Sequence, residues 1–488
     1  MVLQLNGAND VAASADGPFS FVPLPSGSAY SVTIKTQPSS PAQTCTVANA
    51  SGSVTTAAVT NIAVSCRTLV GKFLYVPNTV SNSVSAYSID AATGALTAVA
   101  GAPYPSGGSP TSLTPDPTGR FVYTTNLGSG PFVPVQTAPS ISGYAVNAIT
   151  GALVAVPGSP FFVTGTGSPP GSAQSVLTFE PSGKFGYTTA RISGVVSIYG
   201  VAIDASGALS SVPSSPFALT SNSSAIAQGT FDVSTTHYYV PSRTPAGRLS
   251  VFDFAPGTGV LSPNSVPSVA TDGDEPFIAS AHPSGRHLYV PNYVSGNVSV
   301  FALDANTGAP GAIAGSPFAT GGNSVLYAAV HPSGRFVFAA NANLIGTLAP
   351  LTVAAFSVDQ ATGALTAVAG SPFATPGQGA GAANAPALIL IDVRGRFLYV
   401  NHHSNSIAAF SIDQTTGVLT SVPGSPFATE ARPSPPVLDP SGRYLYVVNR
   451  DSNTISSYSI HPSTGALALI TTLPTGAAPQ FVRVVGLQ

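Results

Sequence analysis

The segment HPSGRHLYVPN, from His282 to Asn292, has close relatives along most of the 488-residue chain. Their central aromatic residues fall at positions 75, 123, 187, 239, 289, 338, 399 and 446, which are 47 to 64 positions apart. Repeats of about 40–50 residues that hold several short strands are typical of β-propeller blades. The other copies begin at Gly71, Asp116, Glu180, Asp232, His331, Asp392 and Asp439.

Each repeat has the pattern of four β-strands, called A to D here. A short apolar run forms strand A, and a Pro-Ser-Gly-Arg turn follows it, in which proline presets φ and glycine accepts a positive φ. Strands B and C alternate with period two, as in RHLYV and NVSVFALD. A Thr-Gly turn leads into strand D, and the GSPF segment after D is predicted to end the pairing because proline cannot donate to a ladder.

The two ends of the repeat region complement each other. The first repeat lacks a strand A, whereas the chain ends GAAPQFVRVVGLQ, a strand A with no repeat after it. The C-terminal strand is therefore predicted to complete the first blade, which closes the ring and removes an open sheet edge. This counting predicts an all-β, eight-bladed propeller, with seven blades as the alternative.

Residues 1–67 form a separate predicted domain, and residues 68–488 form the propeller. The alternating strands of residues 1–67 suit a small immunoglobulin-like or transthyretin-like β-sandwich. Cys45 and Cys66 are the two cysteines of the chain, and we expect a disulfide between them, the alternative being two buried free thiols. A disulfide would indicate an oxidising compartment.

The composition excludes several classes of protein. Only 7% of residues are charged and the formal net charge is -2, without a basic stripe, which argues against nucleic acid as a partner. No apolar stretch approaches the ~20 residues that span a bilayer. The abundance of Thr, Ser and Gly is typical of an exported protein, although the N-terminus lacks the regions of a signal peptide. We expect an extracellular, periplasmic or cell-surface location, with the signal sequence missing from this chain.

The repeats resemble the lactonase-like YVTN-repeat propellers, a family that includes 6-phosphogluconolactonase-type enzymes. The resemblance covers about residues 69–488 and depends on the segments YVPN, PSGR, SID…TGAL and GSPF. It implies a propeller fold and relatives that hydrolyse lactones. Family enzymes usually have seven blades, so the count of eight departs from the family pattern. Residues 1–67 resemble the small domains that precede exported bacterial propellers.

Antiparallel strands divide the predicted ring into two faces. The turn face holds the A–B and C–D turns, and His282 and His331 at a repeated turn position are interpreted there as scaffold residues. The loop face holds the B–C and D–A loops, where the repeats differ and where binding residues are expected. Two B–C loops are enlarged, from Asn126 to Tyr144 and from Asn341 to Phe356. The loop face gathers Arg191, Arg243, Asp272, Asp274, Glu275, His402, His403, Glu430, Arg432, Arg450 and Asp451, and Arg483 on the last strand is expected to point into the channel.

These residue types could form a hydrolytic site, because opening a lactone requires a general base or a metal-bound water, and a positive group for the developing oxyanion. The candidates for the base are His402 and His403, which Glu275 or Glu430 would orient. The candidates for anion binding are Arg191, Arg243, Arg432, Arg450 and Arg483. The alternative for each residue is a solvated loop charge in a weak surface pair.

Asp272 and Asp274, in the segment DGDE, are a weak candidate Ca²⁺ site, since hard cations bind clustered oxygens. The segment lacks EF-hand spacing, so an ordinary acidic loop is the alternative. No other cofactor is indicated.

Two functions remain open at this point. The protein either hydrolyses a small unphosphorylated lactone or ester at the loop-face channel mouth, or is a non-catalytic binding or adhesion scaffold for an extracellular ligand or protein. Loop-face charges that converge around one pocket would favour the enzyme, and charges scattered around the rim would favour the scaffold.

Overall fold

The computed structural model describes residues 1–13, 17–36, 43–68, 71–128, 139–162, 173–192, 195–219, 227–243, 246–341, 351–376, 388–402 and 404–486. The regular elements in these ranges are β-strands. Within the same ranges there is no helix long and apolar enough to cross a membrane. His403 and most of both enlarged B–C loops lie outside the described residues.

The first 68 residues contain two antiparallel sheets with the strand orders β2-β1-β3-β5 and β4-β6. Leu5, Tyr30 and Val32 form a small apolar core, against which Val47 of the second sheet packs. Cys45 faces Cys66 across β4 and β6, and the two residues form the predicted disulfide. The strands are β1 (Val2–Leu5), β2 (Ala8–Ala12), β3 (Ala29–Thr36), β4 (Gln43–Ala48), β5 (Ser51–Ser53) and β6 (Ala63–Thr68).

The described residues from 71 onward form eight antiparallel sheets, here numbered as blades 1 to 8. Blade 1 contains β7 (Phe73–Asn78), β8 (Ser83–Ile89), β9 (Leu96–Ala98), β10 (Tyr104–Pro105) and the C-terminal β45 (Arg483–Val485). Blade 2 contains β11 (Pro110–Pro115), β12 (Phe121–Asn126), β13 (Ser140–Val146), β14 (Leu153–Ala155) and β15 (Phe161–Phe162). Blade 3 contains β16 (Ala173–Gln174), β17 (Thr178–Phe179), β18 (Phe185–Ile192), β19 (Val195–Ile203), β20 (Leu209–Ser211) and β21 (Phe217–Ala218). Blade 4 contains β22 (Thr230–Phe231), β23 (His237–Ser242), β24 (Arg248–Phe254) and β25 (Leu261–Ala270).

The remaining blades follow the same order. Blade 5 contains β26 (Ser280–Ala281), β27 (His287–Asn292), β28 (Asn297–Leu303), β29 (Pro310–Ala312) and β30 (Phe318–Ala319). Blade 6 contains β31 (Val325–Val330), β32 (Phe336–Asn341), β33 (Thr352–Val358), β34 (Leu365–Ala367) and β35 (Phe373–Ala374). Blade 7 contains β36 (Ile389–Ile391), β37 (Phe397–His402), β38 (Ser406–Ile412), β39 (Leu419–Ser421) and β40 (Phe427–Ala428). Blade 8 contains β41 (Val437–Leu438), β42 (Tyr444–Asn449), β43 (Thr454–Ile460) and β44 (Leu467–Pro474).

The chain closes on itself through its last strand, as predicted. Strand β45 pairs antiparallel with β7, with Arg483 opposite Tyr75 and Val485 opposite Phe73. The C-terminal strand therefore occupies the strand A position that the first repeat lacks, and it covers the edge of β7.

The core lies between the blades. Eight apolar clusters of described residues each join one blade to the next, and the last of them joins Tyr444 and Tyr446 of blade 8 to Leu74 and Tyr87 of blade 1. The sheets therefore form a closed ring. Six of the seven central tyrosines of strand B, all except Tyr289, reinforce it by donating to a glycine carbonyl in the next blade: for example, the Tyr75 hydroxyl bonds to Gly151 at 2.8 Å.

The GSPF segment differs from its predicted role. The residues after the proline pair again with strand C, as in blade 6, where β35 and β34 both pair with β33. In the gap between the two pieces the Ser371 hydroxyl accepts the N–H of Ala355 at 2.9 Å. The serine hydroxyl thus takes the place of the backbone carbonyl that would accept this N–H in a continuous ladder. Strand pairing resumes after the proline.

His282 and His331 lie on the turn face and link neighbouring blades. His282 Nε2 donates to the Gly334 carbonyl at 2.8 Å, and its Nδ1 accepts the N–H of Ser284 at 3.1 Å. His331 makes the equivalent bonds to Gly395 and Ser333. Both rings are buried and hydrogen-bonded to backbone groups of two blades, which is the geometry of scaffold residues.

Candidate functional site

Arg243 and Glu275 meet on the loop face between blades 4 and 5. Arg243 follows β23 directly, and its Nη2 donates to Glu275 Oε2 at 2.7 Å. The guanidinium carbon also lies 4.9 Å from the ring centre of Phe277 and 5.7 Å from that of Tyr293. The two charged side chains are only 21% and 33% exposed. Aromatic contact and ion pairing together hold the guanidinium in one place.

The backbone around Glu275 fixes the carboxylate as well. Glu275 has a φ of 53°, in the left-handed region, and its carbonyl accepts the N–H of Tyr293 at 3.0 Å. Burial raises the pKa of Tyr293, and Glu275 raises it further while Arg243 lowers it. The tyrosine is therefore a neutral hydroxyl at physiological pH.

Asp272 and Asp274 precede this cluster in the same D–A loop. Asp272 is exposed, and the N–H of Asp274 donates to Ser295 Oγ at 2.7 Å. In the described part of the chain, no group of three or more His, Cys, Asp or Glu side chains is placed to hold a metal ion. These two carboxylates therefore gain no third such ligand there.

His402 lies inside the sheet of blade 7 and not in an open loop. It is the last residue of β37, pairs with Ser406 and is 0% exposed. Its Nδ1 lies 3.3 Å from Ser406 Oγ, and among described residues its Nε2 has no hydrogen-bond partner. Burial lowers the pKa of His402 to about 4, so the ring is neutral near pH 7. The same repeat position is occupied in other blades by Asn78, Asn126, Asn292, Asn341 and Asn449.

The charges of blade 8 form a separate, more exposed group. Arg432 Nη1 lies 3.9 Å from Asp451 Oδ1, with the side chains 45% and 55% exposed. Arg450 donates its backbone N–H to the Arg432 carbonyl at 3.0 Å, and Glu430 is exposed. This is the geometry of a solvated rim pair.

Arg191 lies near the end of β18 in blade 3, where it pairs with Val196 and is partly buried. No described contact joins Arg191, His402 or the blade 8 group to Glu275.

A cavity of about 360 Å³ opens between the innermost strands of blades 3 to 6. Such a volume suits a small-molecule ligand. Ile278 lines this cavity and follows Glu275 by three residues in the chain, whereas Arg243 and Glu275 are not among the lining residues. The polar side chains in the lining are Thr178, Gln228, Thr230, Ser280 and Tyr327.

Sequence reasoning missed Tyr327 and Gln228. Both belong to strand A segments, which were interpreted as scaffold, and neither lies in a variable loop. The signal that could have found Tyr327 is an aromatic hydroxyl in an innermost strand, where most blades have aliphatic or small residues.

Arg483 of blade 1 and Tyr327 of blade 6 affect each other's pKa. Burial lowers the pKa of the Arg483 guanidinium, and the nearby tyrosine raises it. Tyr327 is affected in turn: burial raises its pKa, while Ser280 and Arg483 lower it. The two residues lie on inner strands of blades 1 and 6.

The predicted residues therefore fall into separate groups. The structure brings Arg243 together with Glu275, and it places Tyr327 in the cavity lining and Arg483 on the closing strand. It does not join either group to His402 or to the blade 8 rim. The role of His402 as a base stays a prediction, as does any role of His403, which lies outside the described residues.

A family model described as Lactonase, 7-bladed beta-propeller matches residues 40–159, 183–316 and 349–484, which is more than half of the chain. The chain belongs to this lactonase family. The resemblance inferred from YVPN, PSGR and GSPF is thereby confirmed. The match begins at residue 40, within the domain predicted to precede the propeller. Its description gives seven blades, whereas the described part of this lactonase-family chain contains eight blade-like sheets.

Solved structures show the same fold at low identity. The periplasmic gluconolactonase of Pseudomonas aeruginosa is 16% identical with a TM-score of 0.54, over 86% of this chain and 100% of that one. A proposed 6-phosphogluconolactonase from Bacteroides uniformis is 18% identical with a TM-score of 0.52, over 85% and 100% of the two chains. AztD from Citrobacter koseri is 12% identical with a TM-score of 0.52, over 85% and 97%. No curated protein sequence matches the chain significantly.

Proposed function

We propose that this lactonase-family protein hydrolyses a small, unphosphorylated lactone or related ester at the loop-face mouth of its central channel. The main support is the Arg243–Glu275 pair, bonded at 2.7 Å and held against two aromatic rings, in the segment that leads into the cavity-lining residues of blade 5. A fixed carboxylate beside a fixed guanidinium provides both groups that lactone opening needs.

In the proposed reaction, Glu275 accepts a proton from a water molecule, whose oxygen attacks the lactone carbonyl carbon. Arg243 stabilises the negative charge that develops on the carbonyl oxygen. The bond between the carbonyl carbon and the ring oxygen then breaks, and the proton on Glu275 passes to that ring oxygen. The product is the open-chain hydroxy acid, which loses its acidic proton to solvent.

The charge of the site favours a substrate without phosphate. The positive charge of Arg243 is already balanced by Glu275. A phosphate dianion would need additional cations at the same place, since phosphate sites in proteins combine several positive groups or backbone amides.

We also propose that the protein works in an oxidising, extracytoplasmic compartment, with residues 1–67 as a sandwich domain ahead of the propeller. The Cys45–Cys66 disulfide supports both proposals, because it joins strands of the N-terminal unit and such bonds persist mainly outside the reducing cytosol.

The test is a panel of unphosphorylated lactones, including glucono-δ-lactone, assayed with the wild type and with Glu275→Gln and Arg243→Lys. We expect each variant to lower kcat/KM by at least ~10²-fold, the usual scale for losing a general base or an oxyanion-stabilising group. Asp451→Asn is the matched control, because it alters an ion pair of the same face that is not near the cavity.

Two results would count against the proposal. Hydrolysis of the whole panel no faster than in buffer would favour the non-catalytic binding scaffold. Equal losses in Glu275→Gln and Asp451→Asn would show that the pair near the cavity has no special role.

A further inference from the structure

Four of the seven histidines of the chain lie on the turn face of blades 4 to 6. His282 and His331 take the first position of the A–B turn, where the other five blades with this turn carry aspartate or glutamate. His237 and His287 begin strand B, where the other six blades carry phenylalanine or tyrosine. Because the ordinary pKa of imidazole lies between pH 5 and 8, the contacts of these blades can respond to mild acid.

His331 joins blade 6 to blade 7 through both ring nitrogens. Its Nε2 donates to the Gly395 carbonyl at 2.7 Å, and its Nδ1 accepts the backbone N–H of Ser333 at 3.1 Å. A proton added to Nδ1 would still find the Ser333 hydroxyl, at 2.7 Å, but it would displace that N–H. A part-buried donor would then lack an acceptor, which is costly.

The charges that face His331 nearly balance. Burial lowers its pKa, the bond to Gly395 and the carboxylate of Asp392 in blade 7 offset this in part, and Arg335 of its own turn adds to the lowering. The uncharged ring is therefore the form that fits this contact.

His282 and His287 hold blade 5 against blade 6. His282 Nε2 donates to the Gly334 carbonyl at 2.8 Å. The His287 ring packs on Gly363 so closely that a Cβ there would lie 2.4 Å from it, and His287 is 2% exposed. The centres of the two imidazole rings are 5.8 Å apart.

The charges around these two rings oppose protonation. Burial lowers the pKa of His287, and His282 and Arg286 of the same blade lower it further, whereas Asp359 of blade 6 raises it. If both imidazoles were charged, two cations would lie beside an arginine with one carboxylate to balance them. Mild acid therefore weakens this contact.

The contact between blades 4 and 5 has the opposite electrostatics. His237 takes the same repeat position as His287, and it packs on Gly308 of blade 5. Its Nδ1 lies 3.0 Å from Asp232 Oδ2 and its Nε2 lies 3.8 Å from Asp253 Oδ1. A proton gained by this ring is paired with carboxylates on two sides, so mild acid does not weaken the contact.

The contacts between blades 5, 6 and 7 lie next to the central cavity. Ala281 and Val330 line the cavity, and His282 and His331 are the residues that directly follow them. Opening of these two turns would release the ends of β26 and β31, which form part of the cavity wall.

We propose that the contacts between blades 5, 6 and 7 form a pH-dependent switch, in which protonation of His287 and His331 in mild acid opens their turn-face side and loosens the adjoining cavity wall. The contact between blades 4 and 5 stays closed. Since both rings have a lowered pKa in the closed contact, they bind protons more tightly once it opens, and opening becomes easier as pH falls below about 6.5. The inference is independent of the proposed hydrolysis, because it concerns contacts between blades and not turnover.

The experiment is hydrogen–deuterium exchange of the full chain at pH 7 and pH 5, resolved by mass spectrometry, with exchange times scaled for the intrinsic pH dependence of amide exchange. We expect protection in residues 280–292 and 325–341 to fall by at least about ten-fold at pH 5, because each pH unit below the ordinary pKa shifts a proton-linked opening by up to about ten-fold. The corresponding segments of blades 4 and 8, residues 230–242 and 437–449, should keep their protection.

Two variants test the contacts separately with residue types that other blades carry at the same positions. His287→Phe should keep the pH 7 protection between blades 5 and 6 at pH 5, and His331→Asp should do so between blades 6 and 7. His237→Phe is the matched control and should leave the acid response of blades 5 to 7 unchanged.

Equal protection of the wild type at both pH values would overturn the proposal. So would a loss of protection spread evenly over all blades, which is global acid unfolding, or an unchanged acid response in both folded variants. If one variant fails to fold, the other still tests its own contact, and the comparison between blades of the wild type needs no variant.

Discussion

The two faces of the propeller use carboxylates in different ways. On the turn face, Asp359 accepts the backbone N–H groups of Ala361 and Thr362 at 3.0 and 2.8 Å and the Thr362 hydroxyl at 2.9 Å, all from its own turn. These hydrogen bonds lower the pKa of Asp359. On the loop face, Glu275 instead bonds to Arg243 of the preceding blade.

This difference separates scaffold from candidate chemistry. A carboxylate that accepts hydrogen bonds from its own turn recurs from blade to blade. Those bonds use the acceptor capacity that a ligand would need. Among the ion pairs of the described residues, Glu275 is the carboxylate that is held by a residue of another blade. Residues that break the repeat are therefore the better candidates for function.

The largest expected effect comes from removing the closing strand. Deletion of residues 480–488 should abolish the cooperative folded state or cause aggregation, because it exposes the edge of β7 and removes Val482 and Val485 from two inter-blade clusters. Size-exclusion chromatography and thermal melting would measure this. A truncated protein that stays monomeric and melts like the wild type would contradict the closure, and Arg483→Gln, which keeps the strand, is the control.

A reciprocal pair of variants would sharpen the comparison between the faces. Asp439, on the turn face, accepts the N–H groups of Ser441, Arg443 and Tyr444 at 3.0, 2.9 and 2.9 Å. Asp439→Ala should lower the free energy of unfolding by about 1–3 kcal/mol and leave kcat/KM unchanged, because it leaves buried donors unsatisfied far from the loop face. Glu275→Gln should lower kcat/KM by at least ~10²-fold with a change in stability within about 0.5 kcal/mol.

Denaturant unfolding and lactone kinetics on both variants would settle whether the faces are distinct. If Asp439→Ala lowered activity as much as Glu275→Gln at equal folded fraction, the division into scaffold and functional faces would be wrong.

The fold could be predicted from the sequence because the same turn chemistry recurs in almost every repeat. The unpaired strand at the C-terminus, with Arg483 to Val485, further indicated closure. The role of the GSPF segment was predicted only in part. Its proline marks where local pairing ends, but the contact that restores the ladder is made by the Ser371 hydroxyl to a backbone N–H of the neighbouring strand.

The candidate site was less predictable, because it depends on contacts between loops of neighbouring blades. Arg243 and Glu275 were both named from their loop position, but the contact between them joins two different blades. His402 was assigned to a loop because VNHH is shorter than VPN-containing segments, yet backbone pairing with Ser406 keeps it inside the sheet. Tyr327 lies in a strand that was interpreted as scaffold, so a search for functional residues in the variable loops did not find it.

Replacing His402 with the asparagine found in other blades should change the pH dependence of stability. Its folded-state pKa of about 4 lies below the ordinary value of 6.5, so between these values the unfolded state binds more protons and stability falls as pH decreases. The wild type should lose about 2 kcal/mol between pH 7 and pH 5 from this residue, and His402→Asn should remove that loss.

Denaturant titrations at pH 7, 6 and 5 would measure this dependence. His461→Asn, at an exposed turn, is the matched control for a histidine-to-asparagine replacement outside the sheet. Parallel profiles for the wild type and His402→Asn would show that the histidine is not buried as described.

The smallest effect should come from the blade 8 rim, and it tests whether the loop face is itself uniform. Arg432 and Asp451 are 3.9 Å apart and about half exposed, so solvent screens their attraction. A double-mutant cycle with Arg432→Gln and Asp451→Asn should give a coupling energy of at most about 0.5 kcal/mol, falling further in high salt.

The corresponding cycle for Arg243→Gln and Glu275→Gln should give a larger and less salt-sensitive coupling, because that pair is closer, less exposed and stacked on two aromatic rings. Equal couplings would mean that the Arg243–Glu275 contact is another rim pair, and its proximity to the cavity would then have no bearing on catalysis.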